Sequence, residues 1–209
     1  MRDRGRYGMW ERTDRGFLLR IPINVKVEVS REPVEFAVRL KQIHGARVVI
    51  YGGQREDVGD GILTDRVGVK VGVRVADCYP IFLLSDRSVG VLHAGWRGSV
   101  RGIVHEGLSL MHGKWGIPPE DITVAFGPGI CGKCYEVGED LKPYFGSLLR
   151  PKGNGKYLLD LYEYNLRALK RWGVERVIPP PACTYEDPLL YSHRRGDKGR
   201  LHAYAEILR

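Results

Sequence analysis

Three closely spaced apolar segments constrain the fold of this chain most. Residues 69–76 are rich in β-branched side chains, and residues 81–84 and 89–92 are short continuous apolar runs. Turn residues separate the segments, so the spacing predicts three strands close together in sequence. The first strand leads to Cys78 and the third to His93, two side chains able to bind a metal. A thiol and an imidazole at strand ends are rigidly held yet reachable, which suits a metal site or a Cys/His nucleophile pair. Taken singly, each also fits an ordinary buried core residue.

The rest of the chain sets limits on that core. At 209 residues, 43% hydrophobic and 28% charged, it is long enough to bury a substantial interior, and one domain over residues 1–209 is expected. No stretch approaches the about 18 apolar residues of a membrane span. The start, Met1-Arg-Asp-Arg-Gly-Arg6, has no apolar signal core, so a cytoplasmic protein away from membranes is expected. In that setting Cys78, Cys131, Cys134 and Cys183 read as thiols or metal ligands rather than disulfides. A formal charge of +8 implies attraction for anions, whether a phosphate-bearing substrate, free phosphate or nucleic acid. No pattern sets an oligomeric state.

Early strands are expected around Phe17 and Val25, with Pro22 arguing against a central strand there. Pro33 suits a first helical turn, and Val34, Ala37 and Leu40 have helical spacing, which predicts a helix through Lys41. It leads to His44 and then to a strand over 47–51. Beyond His93, Gly95 and Gly98 mark a tight turn. Val100, Ile103, Val104, Leu108 and Met111 then form one helical face ending near His112 and Gly113. A strand over 121–126 runs into a Gly-rich loop carrying Cys131 and Cys134. No second CxxC or CxxH follows to complete a four-ligand structural zinc set, so none is expected there. Asp160-Leu-Tyr-Glu163 reads as a capping box opening a helix that stops at Gly173. Adjacent Arg194 and Arg195 on a Gly-flanked loop suit an oxyanion, because guanidinium forks pair bidentately with phosphate. A last strand is expected over 201–208.

His44, Cys78 and His93 lie on separate turns, so only the fold can bring them together. Three such ligands with a fourth position left for water make a catalytic zinc arrangement that lowers the pKa of bound water to about 7. Copper accepts the same ligands.

Several segments, in order, resemble the motifs of the YfiH family, also labelled laccase-domain or polyphenol oxidase proteins. They are Gln42-Ile-His-Gly45, Asp60-Gly-Ile-Leu-Thr-Asp65, Ala76-Asp-Cys-Tyr-Pro80, His93-Ala-Gly-Trp-Arg-Gly98, Gly127-Pro-Gly-Ile130 with Cys134-Tyr-Glu-Val-Gly138, and Ser192-His-Arg-Arg195. The resemblance runs over about residues 42–209. It implies an α+β fold, a layered α/β sandwich of the toxin-deamidase-like type. It also implies a zinc-dependent purine nucleoside phosphorylase of broad specificity, taking adenosine, inosine and methylthioadenosine with phosphate, and adenosine deamination as a second activity. The family's metal ligands fall on His44, Cys78 and His93, the catalytic set. Its substrate and phosphate groups fall on Arg97, Arg194 and Arg195. Two departures stand out. Cys131-Gly-Lys-Cys134 replaces the family's Gly-Pro-Cys-Cys, and His193 stands where a Tyr usually precedes the Arg pair.

Three other readings compete. A copper polyphenol oxidase of the laccase type would rely on many histidines, commonly in His-x-His pairs; the chain has six His and no such pair. A metal-free Cys78/His93 hydrolase or deamidase needs only a thiolate activated by imidazole. A basic nucleic-acid-binding module accounts for the charge, but no basic helix or aromatic binding motif supports it.

Overall fold

The computed structural model describes residues 7–209, so the arginine-rich opening hexapeptide read for a signal core lies outside the described residues. Strands β1 (Met9–Thr13) and β2 (Gly16–Arg20) form a hairpin and β3 (Val25–Ser30) follows, with Pro22 in the turn between β2 and β3. A residue without an N–H is thereby kept out of the ladder. Short strands come next: β4 (Arg39–Lys41), β5 (Val48–Ile50), β6 (Glu56–Val58) and β7 (Gly61–Thr64). The three strands expected close together in sequence are β8 (Val71–Val75), β9 (Tyr79–Leu84) and β10 (Val89–Ala94). Helices α1 (Trp96–Val100) and α2 (Ile103–Trp115), then β11 (Thr123–Phe126), follow in turn. After these come β12 (Glu136–Gly138), α3 (Lys142–Phe145), β13 (Leu149–Gly153), β14 (Lys156–Leu159), α4 (Leu161–Arg171), β15 (Arg176–Ile178) and β16 (Leu201–Ile207).

The architecture is α+β and layered. A six-stranded sheet, ordered β15-β11-β9-β10-β7-β5, lies between a five-stranded sheet, β1-β2-β3-β16-β8, and a helical layer. Every residue of β9, β10 and β11 is buried. Successive side chains point to opposite faces of a strand. Phe82, Leu84, Val89 and Val91 therefore pack on Val27, Val29, Val73 and Ala203 of the five-stranded sheet, while Ile81, Leu83 and Leu92 meet Ile103, Leu108 and Met111 of α2 and Leu169 of α4. This is why 81–84 and 89–92 read as unbroken apolar runs: a strand covered on both faces has no polar side. Cutting one of these leucines to Ala costs about 2–5 kcal/mol.

Residues 33–41 are not helical, contrary to the spacing of Val34, Ala37 and Leu40. Only β4 forms there, paired in parallel with β6. Val38 and Leu40 are buried while Arg39 and Lys41 are exposed, a period of two that the helical spacing masks. Tertiary backbone bonding replaces the helical ladder: the Ala37 N–H donates to the Lys70 carbonyl and the Arg39 N–H to the Arg55 carbonyl. The Phe36 ring lies over Gly72, where a Cβ would come within 2.5 Å of it. His44 consequently sits on a strand-to-strand loop. The helix after His93 also differs. Gly102, at φ 86°, breaks it into α1 and α2, and α2 runs past Gly113 to a left-handed Gly116 cap. Asp160 caps α4 as expected, with the Glu163 N–H donating to Asp160 Oδ1 at 3.0 Å, but the Glu163 side chain accepts from Arg167 Nε at 2.8 Å instead of closing the box. No helix among the described residues is long and apolar enough to cross a membrane.

Candidate metal centre

The antiparallel register of β9 and β10 pairs His93 with Pro80 and Ala94 with Tyr79, so His93 lies beside the turn that carries Cys78. The β4–β5 loop brings His44 over both. One ligand atom from each of His44, Cys78 and His93 lies within 4.8 Å of the others, and the two imidazole centroids are 4.8 Å apart. Glycine makes the approach possible. A Cβ on Gly95 would sit 2.8 Å from Cys78 Sγ, and one on Gly98 would sit 2.6 Å from the Gly45 carbonyl oxygen. Gln42 fastens the His44 loop to β8 by pairing with the Arg74 backbone, donating to its carbonyl and accepting from its N–H, both at 2.8 Å.

Asp60, fully buried, organises the site. Its carboxylate accepts from the backbone N–H groups of Ile43 (3.2 Å), His44 (2.9 Å) and Gly45 (2.7 Å), which steadies His44 at φ 57°. Its Oδ1 is 2.9 Å from His93 Nδ1. A carboxylate can only accept, so Nδ1 carries a proton, and Nε2 is the nitrogen that a cation would take in exchange for its proton. Burial pushes the Asp60 carboxyl up, but the bonds from His93, Gly45 and Ile43 outweigh it and hold the group below the usual range. Burial pushes His93 down, yet Asp60 and then Cys78 raise it to about 9. For Cys78, burial raises the thiol and hydrogen bonds with His44 and His93 bring it down to about 7. Sequence reading missed Asp60 as a site residue. The available signal was a carboxylate abutting the wholly apolar start of β7.

Asp77 supports the turn before Cys78. It adopts φ 83°, and its carboxylate accepts from Thr184 Oγ1 at 2.6 Å and from the Arg194 N–H at 2.7 Å. The 184–194 segment is thereby drawn to the turn that carries Cys78.

His44, Cys78 and His93 line a cleft of about 520 Å³ together with Trp96, Tyr135 and four arginines: Arg74, Arg97, Arg194 and Arg200. Two of the arginines rest on rings, Arg97 at 4.3 Å from the Trp96 centroid and Arg194 at 5.4 Å from that of Tyr135. Arg194 also donates to the Glu136 carbonyl at 2.6 Å. Burial, and then the Cys78 charge, push the Tyr135 phenol up to about 12, so it keeps its proton at neutral pH. Arg74 and Arg200 were not anticipated, although Arg74 is the one charged residue of β8. The expectation for Arg195 is corrected. Arg195 does not line the cleft; its guanidinium donates to the carbonyls of Thr184 and Tyr185 at 2.9 Å each, to that of Leu190, and to Asp197 at 2.5 Å. A fork spent on five oxygens of its own loop, the Asp187 carbonyl at 3.4 Å included, is a structural tie.

Fold and site together define a layered α+β protein with a two-histidine, one-cysteine donor set at the foot of an arginine-walled cleft. The model of the family described as multi-copper polyphenol oxidoreductase laccase matches residues 24–207, and the chain belongs to that family. It is 38% identical over 178 residues to the purine nucleoside phosphorylase of Deinococcus radiodurans, spanning 79% of this chain and 68% of that one. It is 37% identical over 137 residues to the purine nucleoside phosphorylase of Aquifex aeolicus, spanning 66% of this chain and 65% of the relative. The crystal structure of YlmD from Geobacillus stearothermophilus superposes with a TM-score of 0.82 at 27% identity, covering 97% of this chain and 100% of that one.

Proposed function

We propose that this protein is a zinc-dependent purine nucleoside phosphorylase, with His44, Cys78 and His93 as the metal ligands. The carrying observation is one cleft that sets a His/Cys/His donor group against four arginines. The relatives named purine nucleoside phosphorylase support the reading. One thiolate and two imidazoles suit zinc and also accept copper, and a carboxylate behind a ligating imidazole is the usual orienting partner. Zinc bound there would supply Lewis-acid polarisation at the reacting centre.

The chain's own groups do the rest. Arg97 and Arg194, each laid on an aromatic ring, bind and orient phosphate, and Arg74 and Arg200 strengthen the positive field that draws it in. Trp96 and Tyr135 offer apolar surface to the purine. A phosphate oxygen forms a bond to C1′ of the ribose as the C1′–N9 bond breaks, and the departing purine nitrogen needs a proton. Tyr135, a protonated phenol in the cleft, is placed to hold it. Recognition by charge and stacking leaves the C6 substituent and the 5′ group unread, which fits broad specificity over adenosine, inosine and methylthioadenosine. Adenosine deamination is the second activity we assign to this cleft. Four free thiols accord with a cytoplasmic setting.

Incubating metal-analysed protein with each nucleoside, with and without phosphate, tests the reading. Ribose 1-phosphate and free base appearing only with phosphate support phosphorolysis, and inosine from adenosine without phosphate supports deamination. Oxidation of phenols by the copper-loaded protein, with no nucleoside consumed, would replace the reading with the laccase one.

A further inference from the structure

The CxxC that lacked partners in the sequence acquires them in the fold. Cys131, Cys134, Cys183 and Glu186 each offer one donor atom, and all four lie within 4.8 Å of one another. We infer that these residues form a second metal site, distinct from the His44/Cys78/His93 centre, which takes a thiophilic divalent cation of the zinc type in a structural role.

The backbone builds the site from two loops. The N–H groups of Cys134 and Tyr135 both donate to the Cys131 carbonyl, at 2.9 and 3.0 Å, closing a turn around which the two CxxC thiols gather. The second loop is registered against the first by a parallel bridge between Gly129 and Cys183 and by the Thr184 N–H donating to the Gly129 carbonyl at 3.0 Å. One further turn, with the Asp187 N–H donating to the Cys183 carbonyl at 3.0 Å, brings Glu186 back beside Cys183. The Cys131 N–H donates to Cys183 Sγ at 3.2 Å, which ties the two loops together at the sulfur itself. None of the three thiols is in a disulfide.

The donor set and its dimensions point to the ligand class. Three sulfurs and one carboxylate oxygen prefer soft or borderline cations over magnesium or calcium. With Zn–S bonds of about 2.3 Å, the edges of a tetrahedral site are about 3.8 Å. A cage whose donors already stand within 4.8 Å closes on such an ion through small side-chain movements. Cys131 belongs to the sequence departure that moved one cysteine three places ahead of Cys134, so the displaced thiol gains a use here.

The site fastens two walls of the cleft. The CxxC loop carries Ile130 and Tyr135, which line it. The other loop carries Thr184, whose hydroxyl holds Asp77, and supplies the carbonyls that hold Arg195, next to Arg194. A cation joining them fixes Tyr135 and Arg194 relative to the first metal without touching a reactant.

Metal counting tests this without reference to any reaction, so it fails or stands independently of the phosphorylase reading. Full-length wild-type protein is expected to hold about two zinc ions per chain, one for each donor set, and His44→Ala about one. Cobalt exchanged into His44→Ala should give strong sulfur-to-cobalt charge-transfer absorption, which Cys131→Ser and Cys183→Ser variants of that protein lose. On wild type, alkylation mapped by mass spectrometry should spare Cys131, Cys134 and Cys183 until a chelator is added. This last measurement keeps the idea testable even where a cysteine variant fails to fold. Folded His44→Ala protein with no bound metal would overturn the inference. So would chelator-independent alkylation of all three thiols, or an intact mass two hydrogens short, which marks a disulfide among them.

Discussion

Asp60 holds His93 at two points: its Oδ1 lies 2.9 Å from the ring Nδ1, and its backbone carbonyl accepts the His93 N–H at 2.6 Å. The same carboxylate holds the loop of His44, so one buried side chain positions both histidines of the proposed zinc site. Removal of such an orienting partner typically costs 10–100-fold in metal affinity. Asp60→Ala is therefore expected to weaken zinc binding by about that factor, read by competition with a chromophoric chelator. An unchanged affinity in folded protein would show that Asp60 has no such role.

The thiol of Cys78 gives the pH test. In metal-stripped protein its carbamidomethylation rate should rise as pH passes through about 7, two pH units below the ordinary 9.0, because the histidine bonds favour the thiolate. The sign is that of a lowered pKa: thiolate is present above about 7 and lost below it. His44→Ala removes one stabilising bond, leaves burial in place and moves the midpoint up. Loading zinc should suppress alkylation across the range. Fast alkylation of fully active, metal-free protein would favour the Cys/His hydrolase instead.

The adjacent arginines should separate by role. Arg194→Ala and Arg97→Ala are expected to raise the KM for phosphate about tenfold or more, since a charge-assisted bond contributes roughly 1.5–3 kcal/mol. Arg195→Ala strips donors from loop carbonyls, so it should lower stability by about 1–3 kcal/mol and change phosphate KM little at a temperature where it is folded. Equal phosphate defects in both, at full stability, would return Arg195 to the anion site.

Two glycines make a contrasting pair. Gly95→Ala places a methyl 2.8 Å from Cys78 Sγ and should abolish zinc binding at the His44/Cys78/His93 group alone, while the protein melts near the temperature of wild type stripped at that group. Gly90→Ala meets Leu63 Cδ2 at 2.1 Å and the Ile62 carbonyl oxygen at 2.7 Å inside the central sheet. It should cost about 1–3 kcal/mol or more and leave zinc stoichiometry intact in whatever folds. The reverse pattern, seen by calorimetry with metal analysis, would contradict the packing described.

What could be read from sequence was what local pattern controls. The runs in β9 and β10 are unbroken because both faces are covered, and Asp160 caps α4 through bonds within three residues. The grouping of His44, Cys78 and His93 followed from motif resemblance, and the register of β9 with β10 brings Cys78 and His93 together. Spacing misled at Val34, Ala37 and Leu40, where distant carbonyls of Lys70 and Arg55 decided the backbone. The small sheet β12-β14-β13 went unread because β13 is almost wholly exposed and lacks alternation. Asp60, Arg200 and the meeting of Cys183 with Cys131 are contacts across long loops, and no local period encodes them.

The placement of β16 bears on how the molecule comes into being. Leu201–Ile207 lies between β3 and β8, antiparallel to both, so the five-stranded sheet has a gap until that stretch has been synthesised. On the ribosome β3 and β8 would wait with open edges, the state in which strands pair with the wrong neighbour. The β9–β10 hairpin is complete more than a hundred residues earlier and can form first. Translation thus hands the cell a preformed inner hairpin whose covering sheet is zipped shut late, and chaperone dependence should be concentrated in that interval.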